Sequence, residues 1–360
     1  MKDDIRAIAF YLPQYHPIQE NDAWWGKGFT EWTNVAKARA LFPGHCQPHV
    51  PADLGFYDLR LPEARAAQAE LAALHGIGGF CYWHYWFGGK RLLEQPFNEV
   101  LRSGEPKLPF CLGWANESWT GAWHGSPGKI LMEQSYPGPA DEERHFHTVA
   151  EAFFDARYLT VDGKPIFYVY KPQQLADPLR FVEHWQNLAI KSGLKGIYFI
   201  GEDVYLDRKP WNPGESGFDA VVPNNPGVAI LRLSRKNTPR HLALRILSRF
   251  FGYPNLYDYR DFIEANQIEV DRDYDFYPCV LPNWDNTPRS GAKGNVLVNS
   301  TPELFRLQLQ RSVAQVAQRP RDKRIVFIKS WNEWAEGNYL EPDLKYGTAY
   351  LEVCRDELAG

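Results

Sequence analysis

Short apolar runs alternate with longer amphipathic stretches along this chain. Eight runs bounded by Gly, Pro or polar clusters predict strands at Ile5–Tyr11, Gly78–Trp83, Phe110–Trp114, Pro165–Tyr170, Gly196–Ile200, Ala220–Pro223, Tyr277–Leu281 and Arg324–Lys329. Between them, the spacing predicts helices over Leu61–His75, stopped by Gly76, and over Ala140–Asp155, Pro178–Lys191 and Thr301–Ala317. The last opens with Ser300-Thr-Pro-Glu303, a capping box with proline in the first turn, and sets Phe305, Leu309, Val313 and Val316 on one face. Strands that are apolar along nearly their whole length need cover on both faces, and helices between consecutive strands provide it. Eight such units predict an α/β chain folded as one (β/α)8 barrel domain over residues 1–360. A doubly wound sheet is the alternative. It calls for a glycine-rich turn after the first strand, whereas here that strand runs into Phe10-Tyr-Leu-Pro-Gln-Tyr-His16.

Three connections are long, at residues 12–60, 115–140 and 224–255, and long loops in a compact domain usually carry function. Within the third, Arg232, Arg235, Lys236, Arg240, Arg245 and Arg249 interleave with Leu and Ile. An amphipathic helix with a solvated basic face is the simplest reading, and contact with an acidic substrate or a membrane surface the other.

Composition narrows the function. With 40 Lys and Arg against 44 Asp and Glu, the net charge of −4 lacks the basic footprint of a nucleic-acid binder. Cys46, Cys81, Cys111, Cys279 and Cys354 are scattered without a C-x-x-C pair, so neither a disulfide framework nor a zinc cluster is expected. The N-terminus has no secretory h-region, which predicts a cytoplasmic chain, or a periplasmic or secreted one if a leader has been removed. No apolar run is long enough to span a bilayer.

The 13 tryptophans cluster as Trp24-Trp25, Trp83/Trp86, Trp114/Trp119/Trp123 and Trp331/Trp334, which suggests cleft walls because indole is hard to bury completely and its N–H needs a partner. In a barrel of this type the site lies at the C-terminal ends of the strands. The candidates there are Tyr11, His84, Trp86, Trp114, Asn116, Glu117, Trp119, Tyr170, Glu202, Trp284, Trp331, Asn332 and Trp334, with Trp25 from the first long loop; Asn224 and Asn225 follow strand six. Carboxylates, amides and aromatic rings together suit an oligo- or polysaccharide, whose rings offer hydroxyls and apolar C–H faces. No cofactor fingerprint appears, and no metal is expected, although His84 with Asp285 or Glu202 is a conceivable ligand set.

The sharpest signal is Trp331-Asn-Glu-Trp-Ala-Glu-Gly337. A helical turn there would put Glu333 and Glu336 on the same side, where one carboxyl could protonate a leaving oxygen and the other act as base or nucleophile. Glu117 is a rival carboxylate, read first as a substrate ligand.

These segments resemble the WbsX-type proteins, which are in turn similar to glycoside hydrolase family 99, the endo-acting α-mannosidases and α-mannanases. The resemblance rests on Phe10-Tyr-Leu-Pro-Gln-Tyr-His-Pro17, Trp24-Trp-Gly-Lys-Gly-Phe-Thr-Glu-Trp-Thr-Asn34 and Phe80-Cys-Tyr-Trp-His-Tyr-Trp-Phe87. It continues in Gly89-Lys-Arg-Leu-Leu93, Phe110-Cys-Leu-Gly-Trp-Ala-Asn-Glu-Ser-Trp119, Gly163-Lys-Pro165 and Trp331-Asn-Glu-Trp-Ala-Glu-Gly-Asn-Tyr-Leu-Glu-Pro342. It implies a barrel that cleaves α-linked glycans of bacterial surfaces with retention. In that chemistry Glu333 acts as base on the sugar 2-hydroxyl, giving a 1,2-anhydro sugar, Glu336 protonates the leaving group and then activates water, and Tyr11 lies near the cleaved sugar. WbsX-type proteins also carry the label of glycosyltransferases in polysaccharide assembly. Asp271-Arg-Asp273 has the form that holds a metal and a nucleotide diphosphate in one transferase class, but it precedes strand seven and so is expected at the opposite end of the barrel. A non-catalytic carbohydrate-binding barrel is the remaining alternative.

Overall fold

A computed structural model describes residues 5–121, 126–203, 211–223, 226–235, 239–266 and 274–358. Trp123, Asn224, Asn225, Lys236, Asp271 and Asp273 lie outside the described residues. The strands are β1 (Arg6–Tyr11), β2 (Ile77–Phe87), β3 (Phe110–Trp114), β4 (Lys164–Val169), β5 (Tyr198–Asp203), β6 (Ala220–Pro223), β7 in two pieces (Asp275–Phe276 and Cys279–Val280) and β8 (Ile325–Ile328). These barrel strands all pair in parallel. The first piece of β7 pairs with β6, the second with β8, and β8 with β1, so the ring of pairings closes through an interrupted strand. The interruption falls at Tyr277 and Pro278, and proline has no N–H to give to a ladder. Hydrogen bonds from Tyr277 N–H to the Val221 carbonyl (2.8 Å) and from Phe327 N–H to the Pro278 carbonyl (2.9 Å) carry the pairing across it. The eight-unit parallel barrel expected from the apolar runs is the fold observed.

Helices α1 (Pro62–Leu74), α2 (Gln95–Ser103), α3 (Pro139–Phe153), α4 (Pro178–Lys191), α5 (Gly227–Ser234), α6 (Pro239–Phe251), α7 (Tyr259–Ala265), α8 (Pro302–Val316) and α9 (Ala349–Leu358) connect or follow the strands. Six of them, α1 to α4, α6 and α8, begin with proline in the first turn, where its missing N–H costs no helical bond. Thr301 caps α8 by accepting from Leu304 N–H, and the expected face of Phe305, Leu309, Val313 and Val316 is buried. Among the described residues no helix is long and apolar enough to cross a membrane.

Aromatic rings fill the barrel. Phe10 stacks on Trp83 at 4.8 Å between centroids and meets Tyr168 and Phe327 at 5.0 and 5.4 Å, tying β1, β2, β4 and β8 together. Outside the sheet, His145 of α3 sits among Trp86, Trp114 and Trp185. A second apolar cluster, around Leu233, Tyr259, Phe262, Trp284 and Leu297, supports the long excursion between β6 and β8.

Candidate active site

A cleft of about 700 Å3 opens above the C-terminal ends of the strands. The loop after β1 gives it Gln14, Trp25, Phe29 and Glu31; β2 gives Trp83 and Tyr85; the loop after β3 gives Glu117 and Trp119; and Tyr170 follows β4. The β6–β8 excursion adds Ile230, Tyr257, Trp284 and Arg289, and Lys329, Glu333 and Glu336 follow β8.

After β8 the chain folds back on itself. Asn332–Glu333 pairs antiparallel with Asn338–Tyr339 around a 3-10 turn at Trp334–Glu336. The α-helical turn expected from the sequence is therefore a tighter one, with the same three-residue separation between the glutamates. Gly337 closes it at φ 60°, and a Cβ there would lie 2.8 Å from Cβ of Asp285, so backbone conformation and space both call for glycine. The turn sorts its side chains. Glu333 and Glu336 face the cleft, whereas Trp331, Asn332 and Trp334 face the scaffold. Trp331 packs on Phe80, and Asn332 clamps Leu12 by accepting from its N–H (2.7 Å) and donating to its carbonyl (3.1 Å). Trp334 stacks on Tyr339 and donates its indole N–H to Glu341 (2.6 Å).

One buried guanidinium organises the charges. Arg289 Nε lies 2.7 Å from Oε1 of Glu31, and its Nη1 lies 2.6 Å from Oε1 of Glu336 and 4.0 Å from Oε1 of Glu333. Burial opposes the Arg289 charge, but the three carboxylates outweigh it and raise its pKa. Lys329 is likewise buried and held charged, by Glu202 and by the neighbouring Tyr170, Glu333 and Glu336. Burial first, and the charge of Glu333 second, push the Glu336 carboxyl up to about 7 against the pull of Arg289 and Lys329. Glu333 accepts a hydrogen bond from the Ser330 hydroxyl (2.8 Å). Two carboxyls in one cleft thus have different surroundings, the setting in which one holds a proton at neutral pH while the other accepts one.

Of the residues picked from sequence, the cleft brings together Trp25, Glu117, Trp119, Tyr170, Trp284, Glu333 and Glu336. Glu117 is ion-paired with Lys171 at the rim. Trp284 is buried, and its indole N–H has no partner among the described residues. Others point away. His84 and Trp86 lie on the outer face of β2, where His84 Nε2 is 2.8 Å from Nε2 of His145 and Trp86 donates to Asp141 (3.0 Å). Successive residues of a strand face opposite sides, so the cleft residues of β2 are the neighbours Trp83 and Tyr85. Tyr11 donates to Gln68 of α1 (2.7 Å) behind the sheet. Trp114 donates to the Trp86 carbonyl (3.2 Å), and Asn116 bridges Tyr136 and the backbone of Lys171. Glu202 accepts from the Tyr168 hydroxyl beneath the cleft and stands 4.0 Å from Lys329. The conceivable metal set comes apart: His84 meets His145, Glu202 meets Tyr168, and Asp285 is taken by His45 (2.7 Å) and Gln47 (2.7 Å). Among the described residues no three His, Cys, Asp or Glu side chains converge as metal ligands.

Sequence reasoning missed Glu31, Arg289 and Lys329, and from β2 it picked His84 and Trp86 while placing Trp83 only in a cleft-wall group. Strand parity sets Trp83 and Tyr85 on one face of β2 and His84 and Trp86 on the other, and only packing decides which face meets the cleft. Arg289 was not legible, because its partner Glu31 is 258 residues away in the chain. A larger cavity of about 820 Å3 lies behind the same wall, between residues 42–49 and 282–301, and holds neither glutamate. Its His45–Asp285 pair is consumed in pinning the first long loop to the excursion.

Two solved structures share this fold across 99% of the chain. A glycoside hydrolase-like protein matches with a TM-score of 0.60 at 15% identity, over 94% of its own length. The family 99 endo-α-mannosidase from Bacteroides thetaiotaomicron matches with a TM-score of 0.59 at 14% identity, over 96% of its length. Two uncharacterized WxcX proteins, from Xanthomonas campestris pv. campestris strains B100 and ATCC 33913, are each 41% identical over 356 residues. That alignment takes in 98% of this chain and 49% of theirs, so the chain spans about half the length of these relatives. A family model described as glycosyltransferase WbsX matches residues 7–354, and the chain belongs to that family.

Proposed function

We propose that this chain is a glycan-processing enzyme that hydrolyses an α-glycosidic bond within a bacterial surface or capsular polysaccharide, with Glu333 and Glu336 as its catalytic pair. The observation that carries the proposal is that Glu333 and Glu336 face one cleft and share one guanidinium, where burial pushes the Glu336 carboxyl up to about 7. In this reading Glu333 takes the proton of the sugar 2-hydroxyl, whose oxygen forms a bond to its own anomeric carbon. The glycosidic C–O bond breaks, and the leaving oxygen receives the Glu336 proton. Glu336, now a carboxylate, takes a proton from water as the water oxygen bonds to the anomeric carbon; the bond from that carbon to the 2-oxygen breaks, Glu333 returns its proton to the 2-oxygen, and the anomeric configuration is retained. Trp25, Phe29, Trp83, Trp119 and Trp284 offer ring faces for pyranose C–H surfaces. The fold likeness to an endo-α-mannosidase agrees with an endo-acting hydrolase.

The test is incubation of the purified protein and of its Glu336→Gln variant with bacterial polysaccharides and α-mannans, without nucleotide sugar, followed by mass spectrometry. Fragments released by the wild type alone support the proposal. The family's description favours a second reading, transfer from a nucleotide sugar. Products that form only when nucleotide sugars are supplied, and that disappear in an Asp271→Ala/Asp273→Ala variant unless manganese is raised, would replace hydrolysis with transfer. Glycan affinity that survives loss of both glutamates, with no fragments and no transfer product, would leave a binding barrel.

A further inference from the structure

We propose that helix α6, with the end of α5 before it, docks this protein on membranes rich in anionic phospholipid. Charge is strongly segregated in the chain. Residues 220–257 contain six Lys and Arg and no Asp or Glu, leaving 34 basic against 44 acidic side chains elsewhere. An ordinary solvated basic face would turn its apolar side chains inward. Here Leu242, Ile246 and Phe250, spaced four apart and so on one face of α6, are 50%, 48% and 81% exposed, and Phe251 beside them is 65% exposed. Ser248 ties the other side of the helix down by donating to the Pro254 carbonyl (2.7 Å). Arg235 and Arg249 are exposed at the two ends of this surface.

An apolar ladder flanked by arginines on an exposed helix matches a bilayer interface, where leucine, isoleucine and phenylalanine reach the acyl boundary and guanidinium groups meet lipid phosphates. A nucleic acid would answer the charge and leave the ladder in water. A second copy of this chain would answer the ladder but set the exposed Arg235 and Arg249 against their like. Docking here brings the cleft beside the bilayer, because Ile230, Leu231 and Ser234 of α5 line it.

The experiment is co-sedimentation with vesicles of phosphatidylcholine alone, or of three parts phosphatidylcholine to one part phosphatidylglycerol, at low and high salt. The protein should pellet with the anionic vesicles only, and less at high salt. Phe250→Ser/Phe251→Ser and Arg235→Glu/Arg249→Glu should each weaken binding roughly tenfold or more, with circular dichroism and melting temperature showing both variants folded. Absence of binding to either vesicle, equal binding to both, binding unchanged in either folded variant, or light scattering that shows self-association through the two phenylalanines would overturn the proposal. None of these readouts depends on glycan cleavage.

Discussion

Arg289 holds its Nη1 2.6 Å from Oε1 of Glu336, within a wall that leaves the guanidinium side chain only 3% exposed. The cation lowers the cost of ionising a carboxyl that burial and Glu333 otherwise keep protonated. Where Glu336 releases its proton is therefore a balance of named groups, and the balance can be moved.

If protonated Glu336 is the acid of the reaction, kcat/KM should fall as pH rises through about 7, because the acid form is lost. In Arg289→Gln the opposing cation is gone, and the descending limb should move upward by roughly 1 to 2 pH units. A limb that does not move would assign it to another group.

Glu333→Gln and Glu336→Gln should each lower kcat by roughly 10²- to 10⁴-fold. Unfolding free energy should change by less than about 1 kcal/mol, since each amide nearly preserves the shape of its carboxyl. Urea titration beside the kinetics checks both, and marked destabilisation would give the pair a structural role.

Two tryptophans near the site should respond in opposite ways to loss of the indole N–H. Trp284 lines the cleft while its buried N–H has no partner to lose, so Trp284→Phe should cost little stability, and its smaller ring face should raise KM about fivefold. Trp334 donates to buried Glu341, so Trp334→Phe should destabilise by about 1 to 3 kcal/mol. Equal stability losses in the two variants would refute the assignment of one to the cleft and the other to the scaffold.

His84 and His145 meet face to face in the wall behind the cleft, and burial lowers both pKa values well below 6.5. The unfolded chain takes up protons near pH 6.5 while the folded one does not. Their contribution is therefore complete above that pH and is lost as pH falls below it. Relative to His84→Leu/His145→Leu, the wild type should lose melting temperature steadily from about pH 6.5 downward. Parallel curves for the two proteins would mean that the pair titrates normally.

Much of this site was readable from the residues. The eight apolar runs recur as the eight strands because a strand buried on both faces must be apolar along its length, and local composition records that demand. Trp331-Asn-Glu-Trp-Ala-Glu-Gly337 was recognisable because its chemistry and its turn are contained in seven consecutive residues. Choosing among neighbours was harder. His84 and Trp86 are as suited to a sugar as Trp83 and Tyr85, and a shift of one residue exchanges the face that meets the cleft for the face that meets α3. In a strand apolar on both sides, polarity gives no sign of which face is which.

The sequence by itself determined the number and kind of elements, the barrel they form, and the pair of glutamates at its mouth. Only the tertiary structure decided what those glutamates are electrically. Glu31, Arg289 and Lys329 come from the first loop, the β6–β8 excursion and the end of β8, and ring closure sets Arg289 2.6 Å from Glu336 and 2.7 Å from Glu31 in the cleft that Lys329 also lines. Helix and strand periods are local and leave their mark in neighbouring residues. Coulomb energy depends on distance through space, and contacts between residues hundreds of positions apart leave no local mark.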